Sequence, residues 1–141
     1  MMIPEIIKGG KHVDGRGVLS FVNDFDLKEI KRFYTIEHPD PTVVRAWQGH
    51  KVEQKWFFVS AGSFEIRLVK IDDWEFPSKT IKPLKYLLTA CNPEILYIPA
   101  GYANGFKAAE QYSKLFVFAD LTTEESIIDT VRYDKETWGN W

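Results

Sequence analysis

The sequence is short of the residues that form disulfides and hold metal ions. It contains one cysteine, Cys91, and three histidines in 141 residues. A single cysteine cannot form an internal disulfide, and no Cys/His spacing typical of a zinc site is present. No apolar run approaches the roughly 20 residues that a membrane-spanning helix requires, and the N-terminal segment lacks the pattern of a signal peptide. We therefore expect a cytoplasmic protein with no metal, no cofactor and no membrane partner.

An excess of charge of either sign is lacking too. Eighteen basic residues stand against 20 acidic ones, which gives a net charge of −2. A chain so balanced gives no reason to expect nucleic acid or an anionic membrane as its main partner. Apolar and aromatic residues are plentiful instead, at 45% and 15%, and this composition excludes disorder. The length predicts a single domain over residues 1–141 with a core of its own.

Short segments rich in β-branched and aromatic residues recur between turn residues. The clearest is 63–71, where Phe64 and Ile66 alternate with Glu65 and Arg67. This alternation predicts a strand with one buried face and one face in solvent. Similar strands are predicted at 17–22, 31–36, 55–59, 94–98 and 114–119. Many short strands at this spacing are typical of an all-β sandwich or barrel.

Helical patterns are weak, and two short helices are possible. One would cover residues 26–30. The other would begin after Thr122 or Thr123, where the Thr-X-Glu spacing resembles a capping box. The C-terminal tail is unusually aromatic, from Tyr133 to Trp138 and again at Trp141. Because free termini normally fray, we expect this tail to pack on its own barrel or on a partner subunit.

Two segments carry the most specific pattern. Residues 45–50 read Arg-Ala-Trp-Gln-Gly-His and lead into Gln54-Lys55 and a strand, and residues 98–106 read Ile-Pro-Ala-Gly-Tyr-Ala-Asn-Gly-Phe. They resemble the two halves of the barrel mouth in the dTDP-4-dehydrorhamnose 3,5-epimerases and the related dTDP-sugar 3,4-ketoisomerases. Residues 14–17 are similar to the early Asp-X-Arg-Gly motif of that family. The resemblance covers most of the chain and implies a jelly-roll cupin barrel, usually paired as a homodimer.

The sequence departs from the family at its catalytic positions. The histidine of the epimerase Arg-Gly-Leu-His motif is Gln48 here, the histidine of the second motif is Asn104, and the strand expected to carry a tyrosine holds Phe116. An amide has no titrating nitrogen and cannot take a proton from a sugar carbon. A standard 3,5-epimerase is therefore not expected. One imidazole with two amides and a lysine would also be a poor metal site.

The resemblance to the ketoisomerases assigns roles to the remaining polar residues. His50 matches the second histidine of their His-X-His motif and is the expected base, with Lys55 stabilising the enolate and Tyr34 assisting in proton transfer. The expected substrate-binding residues are Arg16, Arg45, Gln48, Asn104 and Tyr102. His12 and His38 lie in turn-like contexts and are expected in solvent.

The resemblance implies a nucleotide-sugar isomerase or epimerase of non-standard mechanism in deoxysugar or polysaccharide biosynthesis. Its substrate would be a dTDP-4-keto-6-deoxyhexose or a similar nucleotide-linked sugar. The alternative is a catalytically inactive cupin that only binds such a sugar. In a third possibility, aromatic residues fill the barrel, which then serves only in assembly.

Overall fold

The alternating segments of the sequence form strands, which the computed structural model describes over residues 2–141. Those residues form twelve strands and one helix. In chain order these are β1 (Glu5–Lys8), β2 (Gly10–Asp14), β3 (Gly17–Phe21), β4 (Arg32–His38), β5 (Val44–His50), β6 (Lys55–Ala61), β7 (Ser63–Lys70), β8 (Leu84–Thr89), β9 (Glu94–Ile98), β10 (Tyr102–Ala108), β11 (Ser113–Ala119), α1 (Thr123–Asp129) and β12 (Thr130–Arg132). All six strands expected from the sequence are present, within one or two residues at each end.

The strands are arranged in two antiparallel five-stranded sheets. One has the order β1-β9-β6-β11-β4 and the other β12-β5-β10-β7-β8, while β2 and β3 form a separate hairpin. The main core lies between the sheets, where Phe57 and Val117 of the first face Phe64, Ile66 and Phe106 of the second. The predicted all-β jelly-roll cupin barrel is confirmed. The single domain over residues 1–141 stays a prediction.

The outer face of β7 differs from the expectation. It was predicted to lie in solvent, but Arg67 and Val69 on that face are both buried. The C-terminal tail covers them: the Arg67 guanidinium lies 4.1 Å from the centroid of the Trp141 ring, and Val69 packs with Trp47 and Trp138. The aromatic tail therefore packs on its own barrel, which was one of the two expected outcomes.

Of the two predicted helices, only the second forms. Thr122 caps α1 through a capping box with Glu125, as the Thr-X-Glu spacing indicated. Residues 26–30 form a turn instead, because the Asp26 carboxylate accepts a hydrogen bond from the backbone nitrogen of Lys28. An Asp side chain that bonds to the backbone two residues later competes with helical hydrogen bonding.

Candidate functional site

Two adjoining cavities open between the sheets. The first, which we call the barrel cavity, has a volume of about 250 Å³ and is lined by Tyr34, Ile36, Val44, Arg45, Ala46, Gln48, Lys55, Phe57, Asn104, Phe106 and Arg132. The second, the helix-side cavity, has a volume of about 360 Å³ and is lined by Arg32, Tyr34, Gln48, Lys55, Thr123, Ser126, Ile127, Thr130 and Arg132. Four residues line both cavities. The barrel is therefore not filled by its own aromatic side chains, and the assembly-only possibility loses its support.

Pairing of β5 with β10 brings the two sequence motifs into one wall. Gln48 lies opposite Asn104, and His50 lies opposite Tyr102. The register then shifts, so that Arg45 lies opposite Phe106. A bulge of this kind places an extra residue on one strand and re-aims the side chains beyond it. As a result Arg45, which is three residues from Gln48, lines the same cavity.

Lys55 and Tyr34 form a hydrogen-bonded pair at the centre of the site. Lys55 is buried at the start of β6, and its Nζ donates to Tyr34 Oη over 3.0 Å. Both side chains line both cavities. Lys55 therefore does not extend to solvent from the sheet edge, and an ammonium and a phenol face whatever occupies the barrel.

His50 lies behind this wall and does not line either cavity. It is 3% exposed, and neither ring nitrogen has a hydrogen-bond partner within residues 2–141. Burial, with the nearby cations Lys55, Arg32 and Arg132, lowers the pKa of His50 from 6.5 to about 3. The imidazole is thus neutral at physiological pH, and its Nδ1 lies 3.6 Å from Glu53 Oε1.

The expectation for His38 was wrong. It is buried rather than solvent-exposed, and its Nε2 accepts a hydrogen bond of 3.1 Å from Arg45 Nε. Burial, followed by the charge of Arg45, lowers the pKa of His38. The signal that could have found it is the period of two along β4, since His38 shares a strand face with Tyr34, which lines the cavity.

Two predicted substrate-binding residues lie away from the cavities. The side chain of Arg16 is 88% exposed at the β2–β3 turn, where Nη2 lies 2.7 Å from Asp14 Oδ2. Tyr102 is buried in the main core, and burial raises its pKa. His12 is exposed beside Asp14, as expected. Of the five predicted binding residues, the structure brings together Arg45, Gln48 and Asn104.

The buried amide of Asn104 is a further feature of the barrel cavity. Its Nδ2 has no hydrogen-bond partner within the described part of the chain. Buried polar groups are nearly always paired. Asn104 therefore contributes a buried amide to the wall that Arg45 and Lys55 also line.

The sequence patterns did not identify three residues of this site, Arg32, Arg132 and Glu53. Arg132 lines both cavities from β12, where it pairs with Gln48. Glu53 is fully buried, and its Oε2 lies 3.2 Å from Arg32 Nη2. No local pattern marks Arg132 or Glu53, because one follows the short helix and the other lies in the loop between β5 and β6.

Within residues 2–141, no three His, Cys, Asp or Glu side chains come together as a metal ion would need. No helix in that range is long and apolar enough to cross a membrane.

The fold and the cavities define a cupin barrel with interior cavities. Among solved structures, similar ones include a 3,4-ketoisomerase double mutant from Thermoanaerobacterium thermosaccharolyticum in complex with TDP, at a TM-score of 0.70 and 26% identity over 92% of this chain and 87% of that one. The TDP-quinovose 3,4-ketoisomerase from Campylobacter jejuni matches at a TM-score of 0.71 and 24% identity over 98% of both chains. An epimerase from Mycobacterium tuberculosis matches at a TM-score of 0.75 and 17% identity over 98% of this chain and 74% of that one.

The predicted resemblance is therefore confirmed. This chain has the fold of the dTDP-sugar 3,4-ketoisomerases and 3,5-epimerases. No family model matches the sequence, and neither does any curated protein.

Proposed function

We propose that this protein is an isomerase or epimerase that acts on a nucleotide-linked 4-keto-6-deoxy sugar. The observation that carries the proposal is the Lys55–Tyr34 pair, which faces both cavities. A solved structure with this fold, the Thermoanaerobacterium enzyme, holds TDP. The cavity wall offers donors and cations, and these suit the oxygens of a sugar and its diphosphate.

The reaction needs a base, a proton donor and a stabilised oxyanion. Removal of the proton on C3 forms a C3–C4 double bond, and the electron pair of the C4 carbonyl moves onto its oxygen. Lys55 would stabilise that oxyanion, and Tyr34 would carry a proton to or from it. Loss of the O3 proton, with proton delivery to C4, then gives the 3-keto isomer. Delivery back to C3 on the other face gives the epimer instead.

Two groups are suited to take the C3 proton. His50 is neutral at physiological pH because burial lowers its pKa to about 3, so one of its two ring nitrogens carries no proton and can accept one. It lies behind the wall, however, whereas Tyr34 lines the cavity directly. We keep His50 as the proposed base, with Tyr34 as the group that exchanges protons with the substrate oxygens.

The test is hydrogen exchange on the sugar. The protein is incubated with dTDP-4-keto-6-deoxyglucose in D₂O, and the C3 proton is followed by NMR. We expect the signal to disappear, and loss of one proton-transfer group should slow its disappearance by about 10²–10⁴-fold. The proton-transfer variants are His50→Ala and Tyr34→Phe, and Lys55→Met removes the group that stabilises the oxyanion. The matched control is Tyr112→Phe, whose ring is exposed.

Saturable binding of the sugar nucleotide without exchange would contradict the proposal. The protein would then be a sugar-nucleotide-binding cupin without catalytic activity. Exchange that survives in His50→Ala but not in Tyr34→Phe would keep the enzyme and move the base to Tyr34.

We also propose that the protein works as a cytoplasmic homodimer. Among the described residues, the β2–β3 hairpin is paired with no other strand, and it exposes Val13, Val18 and Leu19. An isolated two-stranded hairpin is marginally stable in water, and a second copy of the chain would cover these side chains. Arg16 lies at the tip of this hairpin, so the substrate contact expected of Arg16 would require the cavity of a partner subunit.

A further inference from the structure

A buried carboxylate lies behind the Lys55–Tyr34 pair. The side chain of Glu53 is fully buried, and its Oε1 accepts a hydrogen bond of 2.9 Å from Ser126 Oγ. The same oxygen lies 3.5 Å from Lys55 Nζ. Oε2 accepts a hydrogen bond of 3.2 Å from Arg32 Nη2. Burying a carboxylate is costly unless it is paired and hydrogen-bonded, and here both oxygens have partners.

The backbone around Glu53 is held in place as firmly as its side chain. The Asp129 carboxylate, at the end of α1, accepts hydrogen bonds from the backbone nitrogens of Lys51, Val52 and Glu53. The next residue, Gln54, donates a hydrogen bond from its backbone N–H to Asp120 Oδ1. Charged acceptors make hydrogen bonds stronger than neutral ones. The loop therefore delivers the Glu53 carboxylate to a fixed place.

Both cations that Glu53 contacts also touch Tyr34. Lys55 donates to the phenol oxygen, and the Arg32 guanidinium carbon lies 5.1 Å from the centroid of the Tyr34 ring. Among the described residues, no carboxylate other than Glu53 lies within ion-pair distance of Lys55 or of Arg32. Lysine carries its charge on a flexible four-carbon stem, so without Glu53 the ammonium would be held by the phenol oxygen alone.

We propose that Glu53 is a positioning residue, which fixes the Lys55 ammonium against Tyr34 at the wall of the cavities. This inference rests on the proposed function. Glu53 does not line either cavity, so it acts through Lys55 and Arg32 and not on the substrate. Because it orients a group that works in the transition state, its loss lowers kcat and leaves ligand binding nearly unchanged.

The decisive variant is Glu53→Gln, which removes the charge but keeps the side-chain volume and an acceptor for Ser126. A displacement of about 1 Å in a catalytic group can cost about 10²-fold in rate. We therefore expect C3 exchange to slow by about 100-fold, with the dissociation constant of TDP unchanged. Glu53→Asp keeps the charge and should recover part of the rate. The matched control is Glu37→Gln, since the Glu37 side chain is 58% exposed and 3.9 Å from Lys114.

A second measurement needs no activity. A buried ammonium held by two partners exchanges its protons slowly, so wild-type protein should give a lysine side-chain NMR signal for Lys55, assigned by its loss in Lys55→Met. This signal should disappear in Glu53→Gln and persist in Glu37→Gln. A purely structural role for Glu53 would leave the Lys55 signal in place.

The two proposals fail differently. If wild-type protein shows no C3 exchange, the proposed function is wrong, and the Lys55 signal still decides the role of Glu53. A Lys55 signal that is absent in wild type, or unchanged in Glu53→Gln, overturns the positioning role. If Glu53→Gln does not fold, Glu53→Asp replaces it. That variant shortens the side chain by one methylene and draws the carboxylate away from Lys55 Nζ, so the signal should weaken, and an unchanged signal would overturn the proposal.

Discussion

Acid should destabilise this protein through His50 well before its carboxylates are protonated. The imidazole is buried with no hydrogen-bond partner in the described residues. Burial and the neighbouring charges of Lys55, Arg32 and Arg132 lower its pKa from 6.5 to about 3. The unfolded chain therefore binds a proton at His50 at a pH where the folded protein does not. The stabilisation that depends on neutral His50 is therefore fully present above about pH 6.5, and it is lost as the pH falls toward about 3.

The magnitude follows from the size of the pKa shift. Each unit is worth about 1.4 kcal/mol, so the full loss for His50 is about 5 kcal/mol. Between pH 7 and pH 5 the expected loss is about 2 kcal/mol. Asp14 and Asp40 also have pKa values held below 3.8, by hydrogen bonds from Arg16 and Thr42 respectively. Their contribution is complete above about pH 3.8 and is lost only at lower pH, so it does not enter this window.

The assay is urea unfolding of wild-type protein and of His50→Gln at pH 7, 6 and 5. The glutamine cannot titrate, so the variant should lose about 2 kcal/mol less than wild type across the range. The pKa of His38 is also lowered by burial, and this residue supplies the slope that remains in the variant. His12→Gln, at an exposed position, is the control and should keep the wild-type slope. Equal slopes in wild type and His50→Gln would refute the burial argument.

Two further predictions concern packing and assembly. A Cβ on Gly105 would lie 2.7 Å from both Ala46 Cβ and Trp141 Cζ2, so Gly105→Ala should lower the free energy of unfolding by about 1–3 kcal/mol. Gly15→Ala is the control, because a Cβ there would have none of the described residues within 4 Å apart from its chain neighbours. An equal loss in both variants would contradict the packing. The exposed Val18 should lie in the proposed dimer interface, so Val18→Asp should convert a dimer to a monomer in sedimentation velocity. A monomeric wild type, or a dimer that tolerates the aspartate, would remove the hairpin interface.

The strands were predictable because their pattern is local. Side chains on a strand alternate between two faces, so the alternation of Phe64 and Ile66 with Glu65 marks one buried face whatever the fold. The capping box of Thr122 and Glu125 is local as well, since it joins residues three apart. The prediction that the outer face of β7 lies in solvent was wrong, because the residues that cover this face are distant along the chain. Arg67, for example, is buried by Trp141.

Part of the site was predictable from the same motifs. Gln48 and Asn104 each stand at a recognisable position, and the strand pairing of β5 with β10 places them face to face. Arg45 reaches the same wall through a register shift between β5 and β10, and no sequence pattern predicts that shift. Arg16 was assigned from its motif alone, and the structure places it in solvent at the hairpin tip.

By itself, the sequence determined the strands, which follow from residue types and from patterns within single segments. It also indicated the cupin fold, through the resemblance of residues 45–50 and 98–106 to a known family, and it placed the amides Gln48 and Asn104 in those two segments. Only the tertiary structure decided which charged groups meet. Arg32, Glu53, Lys55 and Arg132 come from different strands and a loop, and sheet packing brings their side chains together. Burial then sets the charge state of the groups in this region. The same low-dielectric interior holds Glu53 as an ion-pair partner and keeps His50 neutral.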